Sequence, residues 1–301
     1  MIRPVAFNEN KETAENNFYQ QSIEGASEAE LQERAAAEFD GFVEKLRAND
    51  IEVLVVDDKN DQSTPDSIFP NNWVSFHDDG SIMLFPMFAK NRRSERRQDI
   101  IDMLKARFTV KKVDSLAIWE DKGKFLEGTG SLILDRVNRV AYGAISDRTH
   151  PEVVEAFCEQ KDFKPVLFHA YQTVGQERLP IYHTNVMMCV GNGFALICTD
   201  TIDDKEELEK VLSTLKGSGK EVIEISEQQN NNFAGNMLQV KNKQGKQFVV
   251  MSEAAYKSLD MDQISRLKHH GDIIHSDINT IETLGGGSAR CMMAEVFLPR
   301  R

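Results

Sequence analysis

Residues 182–225 read YHTNVMMCVGNGFALICTDTIDDKEELEKVLSTLKGSGKEVIEI and contain one complete structural unit. Two apolar runs flank a Gly-Asn-Gly turn, which is typical of a β-hairpin. A segment with helical periodicity follows and ends near a glycine, and a run of branched residues then predicts another strand. The expected elements are strands at Tyr182–Val190, Phe194–Cys198 and Glu221–Ile225, and a helix at Asp203–Leu215.

Hairpins, helices and strands of this kind recur along the rest of the chain. Ser27 and Glu30 have the spacing of a capping box, so a helix is expected from there to about Leu46. The alternation favours one α/β domain over residues 1–301, with mixed rather than purely parallel strand pairing. Further strands are expected at 51–56, 81–85, 132–134, 139–142, 237–240, 248–251 and 292–297, and further helices near 100–108, from Pro151, at 253–259 and at 262–269.

The composition excludes several classes of protein. The chain has 301 residues, of which 41% are hydrophobic and 28% charged, so it can bury a sizeable core. Lys and Arg number 36 against 48 Asp and Glu, and the resulting net charge of −12 argues against nucleic-acid binding. No glycine-rich phosphate loop follows a strand, which argues against a nucleotide-binding sheet.

The sequence favours a cytoplasmic protein without a membrane anchor. No apolar run approaches the roughly 20 residues that a membrane-spanning helix needs. Residues 1–8 lack an apolar signal-peptide stretch, so the four cysteines are expected to be free thiols. Cys158, Cys189 and Cys198 lie in amphipathic or apolar segments and are expected to be small buried core residues.

Cys291 differs from the other cysteines because it follows the glycine-rich segment 285–290. Glycines allow the backbone to approach a ligand closely and can direct amide groups toward it. Two interpretations are open: a nucleophile for covalent catalysis, or a buried cysteine at the end of a flexible loop.

Among the seven histidines, His183 is the strongest candidate for a catalytic partner. It opens the apolar strand expected at 182–190, next to Thr184 and Asn185. A polar triplet in this position is either a satisfied structural network or part of a site. No pair of Cys or His residues has metal-ligand spacing near another pair, so no zinc site is expected.

Two short segments could supply further polar groups. Glu127 stands before the turn Gly128-Thr129-Gly130, where it could orient a histidine or simply occupy a turn. Asn71 and Asn72 stand between a proline and a tryptophan, where their amides could bind a neutral polar substrate or cap a loop.

One cationic cluster, residues 90–97, stands out in this acidic chain. A run of this kind is usually a solvated helix start, but Arg92 and Arg93 could instead hold an anionic substrate group. Arg148 is a second candidate for binding an anion.

Taken together, these segments resemble the guanidine-modifying (pentein) superfamily, which includes arginine deiminases, dimethylarginine hydrolases and amidinotransferases. Within it, the chain most resembles the citrulline-hydrolase (CtlX-type) branch, whose members are often called amidinotransferase or arginine deiminase-related. The matching pieces cover most of the chain and lie in this order: Phe69-Pro70-Asn71-Asn72, Pro86-Met87 with the following arginines, Leu126-Glu127-Gly128, Arg148-Thr149, His183-Thr184-Asn185 and Gly285-Gly286-Gly287 with Cys291-Met292.

The resemblance implies a five-bladed α/β propeller with approximate fivefold symmetry and a central active site. It implies Cys291 as the nucleophile, His183 as the general acid and base, and Glu127 as the third catalytic member, with no metal and no organic cofactor. The residues that it implies for substrate binding are Asn71, Asn72, Arg92, Arg93, Arg148, Asn185 and Asn236.

Two differences from the superfamily bear on the substrate. Members that act on arginine carry Asp where this chain has Asn72, and commonly also where it has Asn185. A buried carboxylate that faces a neutral ureido group would lack a counter-charge, whereas an Asn amide offers both a donor and acceptors. In addition, Gly-Thr-Gly-Ser follows Glu127 where many relatives have Gly-Gly-Asp, which bears on the third catalytic role.

We therefore expect a hydrolase that converts citrulline to ornithine, ammonia and carbon dioxide through a covalent intermediate on Cys291. The alternatives that use the same site are amidino transfer from arginine and deiminase-type hydrolysis of arginine or methylated arginine. An inactive ligand-binding protein is the alternative from another class. The expected partner is a small amino-acid substrate, and a homodimer is a general expectation for soluble enzymes.

Overall fold

The computed structural model describes residues 1–59 and 64–301 of the chain. Its strands are short, as in small sheets that alternate with helices. In chain order, they are β1 (Ile2–Arg3), β2 (Val56–Asp57), β3 (Val74–Phe76), β4 (Ser81–Leu84), β5 (Lys112–Ser115), β6 (Ile133–Asp135), β7 (Val140–Ala144), β8 (Lys164–Phe168), β9 (Tyr171–Val174), β10 (Glu177–Pro180), β11 (Met188–Val190), β12 (Phe194–Ile197), β13 (Glu221–Glu224), β14 (Leu238–Lys241), β15 (Gln247–Ser252) and β16 (Asp272–Ser276).

The helices range from single turns to a helix of 21 residues. The α-helices are α1 (Glu28–Ala48), α2 (Gln98–Arg107), α3 (Gly128–Ser131), α4 (Pro151–Lys161), α5 (Thr184–Met187), α6 (Lys205–Gly217), α7 (Glu227–Asn230), α8 (Glu253–Ser258), α9 (Met261–His270) and α10 (Asn279–Gly285). Short 3-10 helices form at Pro70–Asn72, Asn91–Glu95, Ala117–Lys122 and Thr199–Thr201.

Four three-stranded sheets share one topology. In each, an antiparallel hairpin is followed by a helical connection and then by a strand that pairs in parallel with the second hairpin strand. The sheets are β3-β4-β5, β6-β7-β8, β11-β12-β13 and β14-β15-β16. The mixed α/β pairing expected from the sequence is therefore confirmed.

The N-terminal part of the chain forms a smaller unit in which α1 connects the parallel strands β1 and β2. Helix α1 begins with the capping box expected from the sequence. The Ser27 hydroxyl accepts from the Glu30 amide at 3.3 Å, and the Glu30 carboxylate accepts from the Ser27 amide at 2.8 Å. Phe39 and Phe42 on one face of α1 are fully buried, so packing anchors the helix against the sheets.

The strand expected at Tyr182–Val190 is wrong in its first half, where the chain forms helix α5. The reason is a polar contact across the fold. The Thr184 hydroxyl donates to the Ser131 carbonyl at 2.6 Å and accepts from the Ala144 amide at 2.8 Å. These bonds fix a helical turn in a segment whose apolar residues alone favour a strand.

The strand expected at 292–297 does not form either. Residues 288–293 instead fold into consecutive turns, in which the Cys291 amide donates to the Ser288 carbonyl and the Met293 amide to the Arg290 carbonyl. The strand expected at 51–56 is also shorter than predicted, because only Val56–Asp57 pairs with β1.

The candidate site residues occupy equivalent positions in the repeated units. Asn72 lies just before β3, Glu127 just before β6, His183 just before β11 and Asn236 shortly before β14. Helix α3 packs against both the 3-10 helix at Pro70–Asn72 and α5, so the segments that begin different sheets meet.

Within residues 1–59 and 64–301, the longest helices are too polar or too short to cross a lipid bilayer. The expected cytoplasmic location is not tested by this finding and stays a prediction.

Candidate active site

The thiol of Cys291 is buried and contacts two side-chain amides. Asn185 Nδ2 and Asn236 Nδ2 each lie 3.3 Å from Cys291 Sγ and donate to it. Asn236 is itself fixed, because its Nδ2 also donates to the Asn185 carbonyl at 2.9 Å and its Oδ1 accepts from the Arg290 amide at 2.9 Å. Two amide donors thus point at the sulfur atom that would attack in covalent catalysis.

His183 and Asn185 are carried by the same short helix. His183 is the N-cap of α5, and Asn185 lies in its first turn. The imidazole Nε2 is 2.8 Å from Glu127 Oε2. Because an ionised carboxylate only accepts hydrogen bonds, the proton is assigned to Nε2, and the lone pair is left on Nδ1.

Burial and charge set the ionisation of this pair. Burial alone would raise the pKa of the Glu127 carboxyl, but Arg148, His183 and Arg92 together hold that pKa well below its ordinary value. Burial lowers the pKa of His183 to about 4, although the Glu127 carboxylate opposes this change. At neutral pH the pair is therefore a carboxylate and a neutral imidazole that can accept a proton.

Because Gly130 has no side chain, the His183 ring and the Asn72 amide can both lie close to its backbone. A Cβ atom at residue 130 would lie 2.4 Å from Asn72 Nδ2 and 2.9 Å from His183 Nδ1. These distances are shorter than any normal contact, so only glycine fits between the two side chains. Sequence reasoning noted the glycine turn after Glu127 but not this steric requirement.

We expect Gly130→Ala to lower kcat by about 10–100-fold, because the added methyl group must displace His183 or Asn72 from its position. Steady-state kinetics on the purified variant measure this effect. The matched control is Gly41→Ala in the middle of α1, where a Cβ meets no atom within 4 Å. That variant should keep its kcat and gain about 0.5–1 kcal/mol in the free energy of unfolding. Equal kcat in both variants would contradict the steric argument.

Arg92 is buried and surrounded by protein acceptors. Glu95 binds its guanidinium in two places, at 2.9 and 3.0 Å, and Asn72 Oδ1 accepts from Nη1 at 2.9 Å. Carboxylate oxygens of Asp66 and Glu127 lie 3.7 and 3.8 Å away. Although burial alone would lower the pKa of Arg92, the surrounding carboxylates raise it, so the guanidinium is a permanent cation that positions Asn72.

The other two candidate arginines are also held by the protein. Arg148 is buried, with Nε donating to Asn16 Oδ1 at 3.0 Å and Nη1 lying 3.5 Å from Glu127 Oε2. Arg93 is partly exposed, and its Nε donates to the Met87 carbonyl at 3.2 Å and lies 3.5 Å from Glu120. Of the three arginines, Arg93 is therefore the one with solvent-accessible surface.

Sequence reasoning missed the N-terminal segment 10–17 as part of this region. The Thr13 carbonyl accepts from Arg148 Nη2 at 3.0 Å, and Asn10 Nδ2 donates to Asp66 Oδ2 at 2.7 Å. The side chain of Asp66 is also buried. Residues 10–17 have no apolar periodicity, and their polar contacts reach residues that are distant in sequence. The sequence alone therefore does not indicate that this segment belongs to the site.

Three buried polar atoms near the site have no hydrogen-bond partner among residues 1–59 and 64–301. They are Asn71 Nδ2, Asn185 Oδ1 and Asp66 Oδ1. Asn71 Oδ1 already accepts from Asn72 Nδ2 at 3.2 Å, which assigns the remaining Asn71 group as a donor. Unpaired buried polar atoms are costly in a folded protein, so these three atoms are available to a polar ligand.

The glycine-rich segment before Cys291 is held from several directions. Helix α10 ends at Gly285 and is capped by Gly286, which has φ +59°, a conformation that glycine adopts without strain. The Tyr182 hydroxyl donates to the Gly286 carbonyl at 2.5 Å, and Asn17 Nδ2 donates to the Gly285 carbonyl at 3.3 Å. Ser288 donates to the Glu282 carboxyl at 2.5 Å. The segment is thus anchored in this structure.

Glu282 makes the stability of this segment depend on pH. Burial raises its pKa from 4.5 to about 7, although hydrogen bonds from Ser252 and Ser288 oppose this change. Below pH 4.5 the group is protonated in the folded and unfolded states alike. As pH rises toward 7, only the unfolded state releases the proton, so the free energy of unfolding falls by up to ~3 kcal/mol. Glu282→Gln should remove this slope.

Urea unfolding at pH 5.0 and 7.5 measures this effect. Between these two pH values, wild type should lose more free energy of unfolding than Glu282→Gln. A Glu209→Gln control on the exposed face of α6 should lose as much as wild type. Equal loss in wild type and Glu282→Gln would show that Glu282 does not titrate in this range.

Clusters of three or more His, Cys, Asp and Glu side chains that could hold a metal ion are absent from the described part of the chain. The four cysteines are free thiols there. Burial raises the pKa of Cys158, Cys189 and Cys198 to about 12, so these three are protonated at neutral pH.

The sequence matches a known family over nearly its whole length. The family model described as N,N dimethylarginine dimethylhydrolase, eukaryotic, matches residues 3–298. No curated protein matches the sequence.

Solved structures share the fold at low sequence identity. ArgZ, an arginine dihydrolase from the ornithine-ammonia cycle in cyanobacteria, has a TM-score of 0.74 and 17% identity over 100% of this chain and 40% of its own. The N-terminal domain of ArgZ bound to product has a TM-score of 0.71 and 17% identity over 99% of this chain and 98% of its own. A dimethylarginine dimethylaminohydrolase adduct with S-methyl-L-thiocitrulline has a TM-score of 0.63 and 15% identity over 97% of this chain and 96% of its own. The chain thus spans about two fifths of full-length ArgZ, and at these identities the likeness is one of fold.

Proposed function

The chain belongs to the N,N dimethylarginine dimethylhydrolase (eukaryotic) family, within the guanidine-modifying (pentein) superfamily, and on this premise we propose that it hydrolyses the ureido group of citrulline. The products are ornithine, ammonia and carbon dioxide. Cys291 is the nucleophile, His183 transfers protons, and Glu127 holds the imidazole.

One observation carries the choice of a ureido group over a guanidinium. Near the site, Asn71 Nδ2 is a buried donor and Asn185 Oδ1 a buried acceptor, and neither has a partner in residues 1–59 and 64–301. A ureido group offers a carbonyl acceptor and N–H donors, so it has a partner of the right kind for each atom. A guanidinium has only donors and would leave Asn71 Nδ2 unpaired, which costs about 1–3 kcal/mol.

Asn72 supports the same choice through its two hydrogen bonds. Its Oδ1 accepts from Arg92 and its Nδ2 donates to Asn71 Oδ1. An aspartate at this position, as in members that act on arginine, would still pair with Arg92 but would have no proton to donate to Asn71. Asn72 thus holds Asn71 with its Nδ2 available as a donor. With Asp at position 72, as in members that act on arginine, Asn71 would lose this hydrogen bond and would not be held in that orientation.

Asp66 is a candidate for holding the amino group of the substrate. Its Oδ1 is buried and unpaired in the described residues, while Asn10 and Thr13 bond its Oδ2. A carboxylate oxygen in this condition matches the α-ammonium group of an amino acid. Because Arg92 and Arg148 are occupied by protein acceptors, Arg93 is the candidate for the substrate carboxylate.

The first half of the reaction uses a neutral His183. The imidazole accepts the Cys291 thiol proton, and the thiolate attacks the ureido carbon while the carbonyl electron pair moves to oxygen. When the carbonyl re-forms, the bond from that carbon to the δ-nitrogen of ornithine breaks. The His183 imidazolium protonates this nitrogen, and a carbamoyl thioester remains on Cys291. The amides of Asn185 and Asn236 stabilise the thiolate before attack.

The second half releases the enzyme. Water adds to the thioester carbon as His183 accepts a water proton, and the thiolate then leaves and regains a proton from His183. The carbamic acid that is released decomposes to ammonia and carbon dioxide. One citrulline and one water thus give one ornithine, one ammonia and one carbon dioxide, with no oxidant, metal or organic cofactor in the balance.

A second candidate is hydrolysis of a guanidino substrate such as arginine, as either a deiminase or a dihydrolase. A cluster of three carboxyl groups favours it: Asp66, Glu95 and Glu127 lie beside the guanidinium groups of Arg92 and Arg148. Burial raises the pKa of Glu95 to about 8, so a cationic substrate would help to keep all three groups ionised. Amidino transfer from arginine to an amine would use the same residues.

Separate incubation of the purified protein with L-citrulline and L-arginine tests the proposal, with ornithine, citrulline and ammonia quantified. We expect ornithine and ammonia in equal amounts from citrulline, with a kcat/KM at least ~10-fold above that for arginine. Citrulline, or ornithine with two ammonia, from arginine at the higher kcat/KM would replace the proposal with the guanidino candidate. A product from arginine only when an amine is added would favour transfer, and no turnover would favour a binding protein.

The remaining expectations belong to the same proposal. The four sheets of equal topology, together with the β1–α1–β2 unit, support a five-bladed propeller that forms one domain over residues 1–301. A homodimer in the cytoplasm remains the expected state of the protein.

A further inference from the structure

A cavity of about 590 Å³ lies next to the segment that carries Cys291. Arg290 and Met293 line it, but none of the ten candidate catalytic and substrate-binding side chains does. Much of the wall is apolar, and Arg136 and Phe297 stand together in it. The volume is sufficient for a small organic ligand.

Arg136 is the unusual group in this cavity. Its guanidinium stacks on the Phe297 ring, with Cζ 4.1 Å from the ring centroid. Among residues 1–59 and 64–301, no carboxylate lies within 4.0 Å of it, and its one side-chain hydrogen-bond contact is between Nη1 and His77 Nδ1 at 3.5 Å. Since a guanidinium has five N–H donors, most of them are free to bind a ligand.

The electrostatic surroundings of Arg136 favour an anion. Burial lowers its pKa, Glu295 opposes this change, and the nearby Arg290 adds to it. Glu295 is already paired with Arg290 Nη2 at 3.1 Å. Five basic and three acidic side chains line the cavity, although the whole chain carries a net charge of −12. A local excess of positive charge in an acidic protein indicates selection for a negative ligand.

The cavity connects directly to the candidate nucleophile. The Arg290 amide donates to Asn236 Oδ1 at 2.9 Å, and Asn236 Nδ2 donates to Cys291 Sγ at 3.3 Å. An anion held at Arg136 would also attract the Arg290 guanidinium, which lines the same cavity, away from Glu295, and we expect the Arg290 backbone to follow. The change would reach the thiol through a single side chain.

We infer that this cavity binds an organic anion with a carboxylate head and an apolar body, and that its occupancy lowers the reactivity of Cys291. The head binds Arg136 edge-on, because a planar carboxylate matches the guanidinium fork and Phe297 covers the guanidinium face. The apolar body lies against side chains such as Ile133, Met237 and Met293. This site is separate from the proposed citrulline site.

Calorimetric titration with octanoate, octanamide and inorganic phosphate tests the binding. Wild type should bind octanoate at least ~10-fold more tightly than octanamide, which has the same body without the charge. Arg136→Gln should weaken octanoate binding ~10-fold or more and leave octanamide unchanged, while Arg136→Lys, which keeps the charge but not the guanidinium fork, should lose less affinity than Arg136→Gln. If Arg136→Gln does not fold, the comparison of octanoate with octanamide on wild type and on Arg136→Lys still tests whether Arg136 binds a carboxylate.

Absence of octanoate binding, or equal binding of octanoate and octanamide, would overturn the site. Phosphate binding as tight as that of octanoate would overturn the apolar part of the proposal.

The coupling is measured as the rate at which iodoacetamide alkylates Cys291, with the modified residue identified by mass spectrometry. Octanoate at a concentration that just saturates wild type should slow this rate about fivefold in wild type and clearly less in Arg136→Gln, whose site is then only partly occupied. An unchanged rate in wild type would overturn the coupling. Neither readout requires turnover, so both stand apart from the identity of the substrate.

Discussion

Cys291→Ser is expected to abolish turnover of the preferred substrate, with kcat at least ~10⁴-fold below wild type. A serine hydroxyl is a far weaker nucleophile than a thiolate, and the two amides that contact Cys291 Sγ are positioned for the larger sulfur atom. Mass spectrometry of wild type quenched during turnover should show an adduct on Cys291, and the variant should show none.

The matched control is Cys158→Ala, which removes a thiol from the apolar side of α4. Because burial raises the pKa of Cys158 to about 12, this thiol takes no part in covalent chemistry at neutral pH, and kcat should stay within about twofold of wild type. Alkylation should modify Cys291 fastest of the four cysteines, and substrate should protect it. A Cys291→Ser variant that retains a tenth of the wild-type kcat would exclude covalent catalysis at this residue.

The sequence predicted most of the regular elements, because their signals are local. The capping box at Ser27, the proline that begins α4 and the Gly-Asn-Gly turn between β11 and β12 all lie where expected. The resemblance to the guanidine-modifying superfamily, stated on short motifs, is confirmed by a family model that matches residues 3–298. Motif order along the chain was sufficient for this: three motifs lie where a repeated sheet begins, two lie in the connections that follow β4 and β7, and the last lies in the C-terminal turns.

The errors in the fold have a common physical cause. Residues 182–187 and 292–297 are apolar enough to favour strands, yet each is fixed by polar contacts from elsewhere in the chain or by local turns. Apolar periodicity reports burial, and residues 182–187 together with Met292 and Met293 are indeed buried, whereas Val296 and Phe297 are exposed. It does not report which backbone conformation brings a side chain such as Asn185 to its partner.

For the candidate site, too, the sequence predicted residue types but not the contacts between distant segments. The residue types of Cys291, His183 and Glu127 indicated their chemistry, and the structure places His183 beside Glu127 and two amides beside Cys291. The sequence did not indicate that Glu95 occupies Arg92, or that Asp66 has an unpaired oxygen. Such pairings depend on contacts between distant segments, so a single sequence carries no local signal for them.

Glu127→Gln is expected to lower kcat by about 10³–10⁴-fold with little change in the shape of the site. The substitution keeps an acceptor for His183 Nε2–H but removes the negative charge that stabilises the imidazolium formed when Cys291 loses its proton. The pKa of His183, about 4 in wild type, should fall further without the carboxylate. The acid limb of the pH–kcat profile, which follows loss of the neutral imidazole, should therefore move to lower pH.

The matched control is Glu95→Gln, because Glu95 is equally buried and also pairs with Arg92 but does not contact His183. Each substitution removes one carboxylate from the same buried ion cluster, so each should lower the free energy of unfolding by about 1–3 kcal/mol. Only Glu127→Gln should also lower kcat by three orders of magnitude, whereas Glu95→Gln should stay within about tenfold of wild type. If the two variants lost kcat equally, the role of Glu127 would be to hold the arginines in place, and His183 would act without a carboxylate partner. A loss confined to Glu127→Gln, with a shifted acid limb, is the result that a carboxylate acting on the imidazole requires.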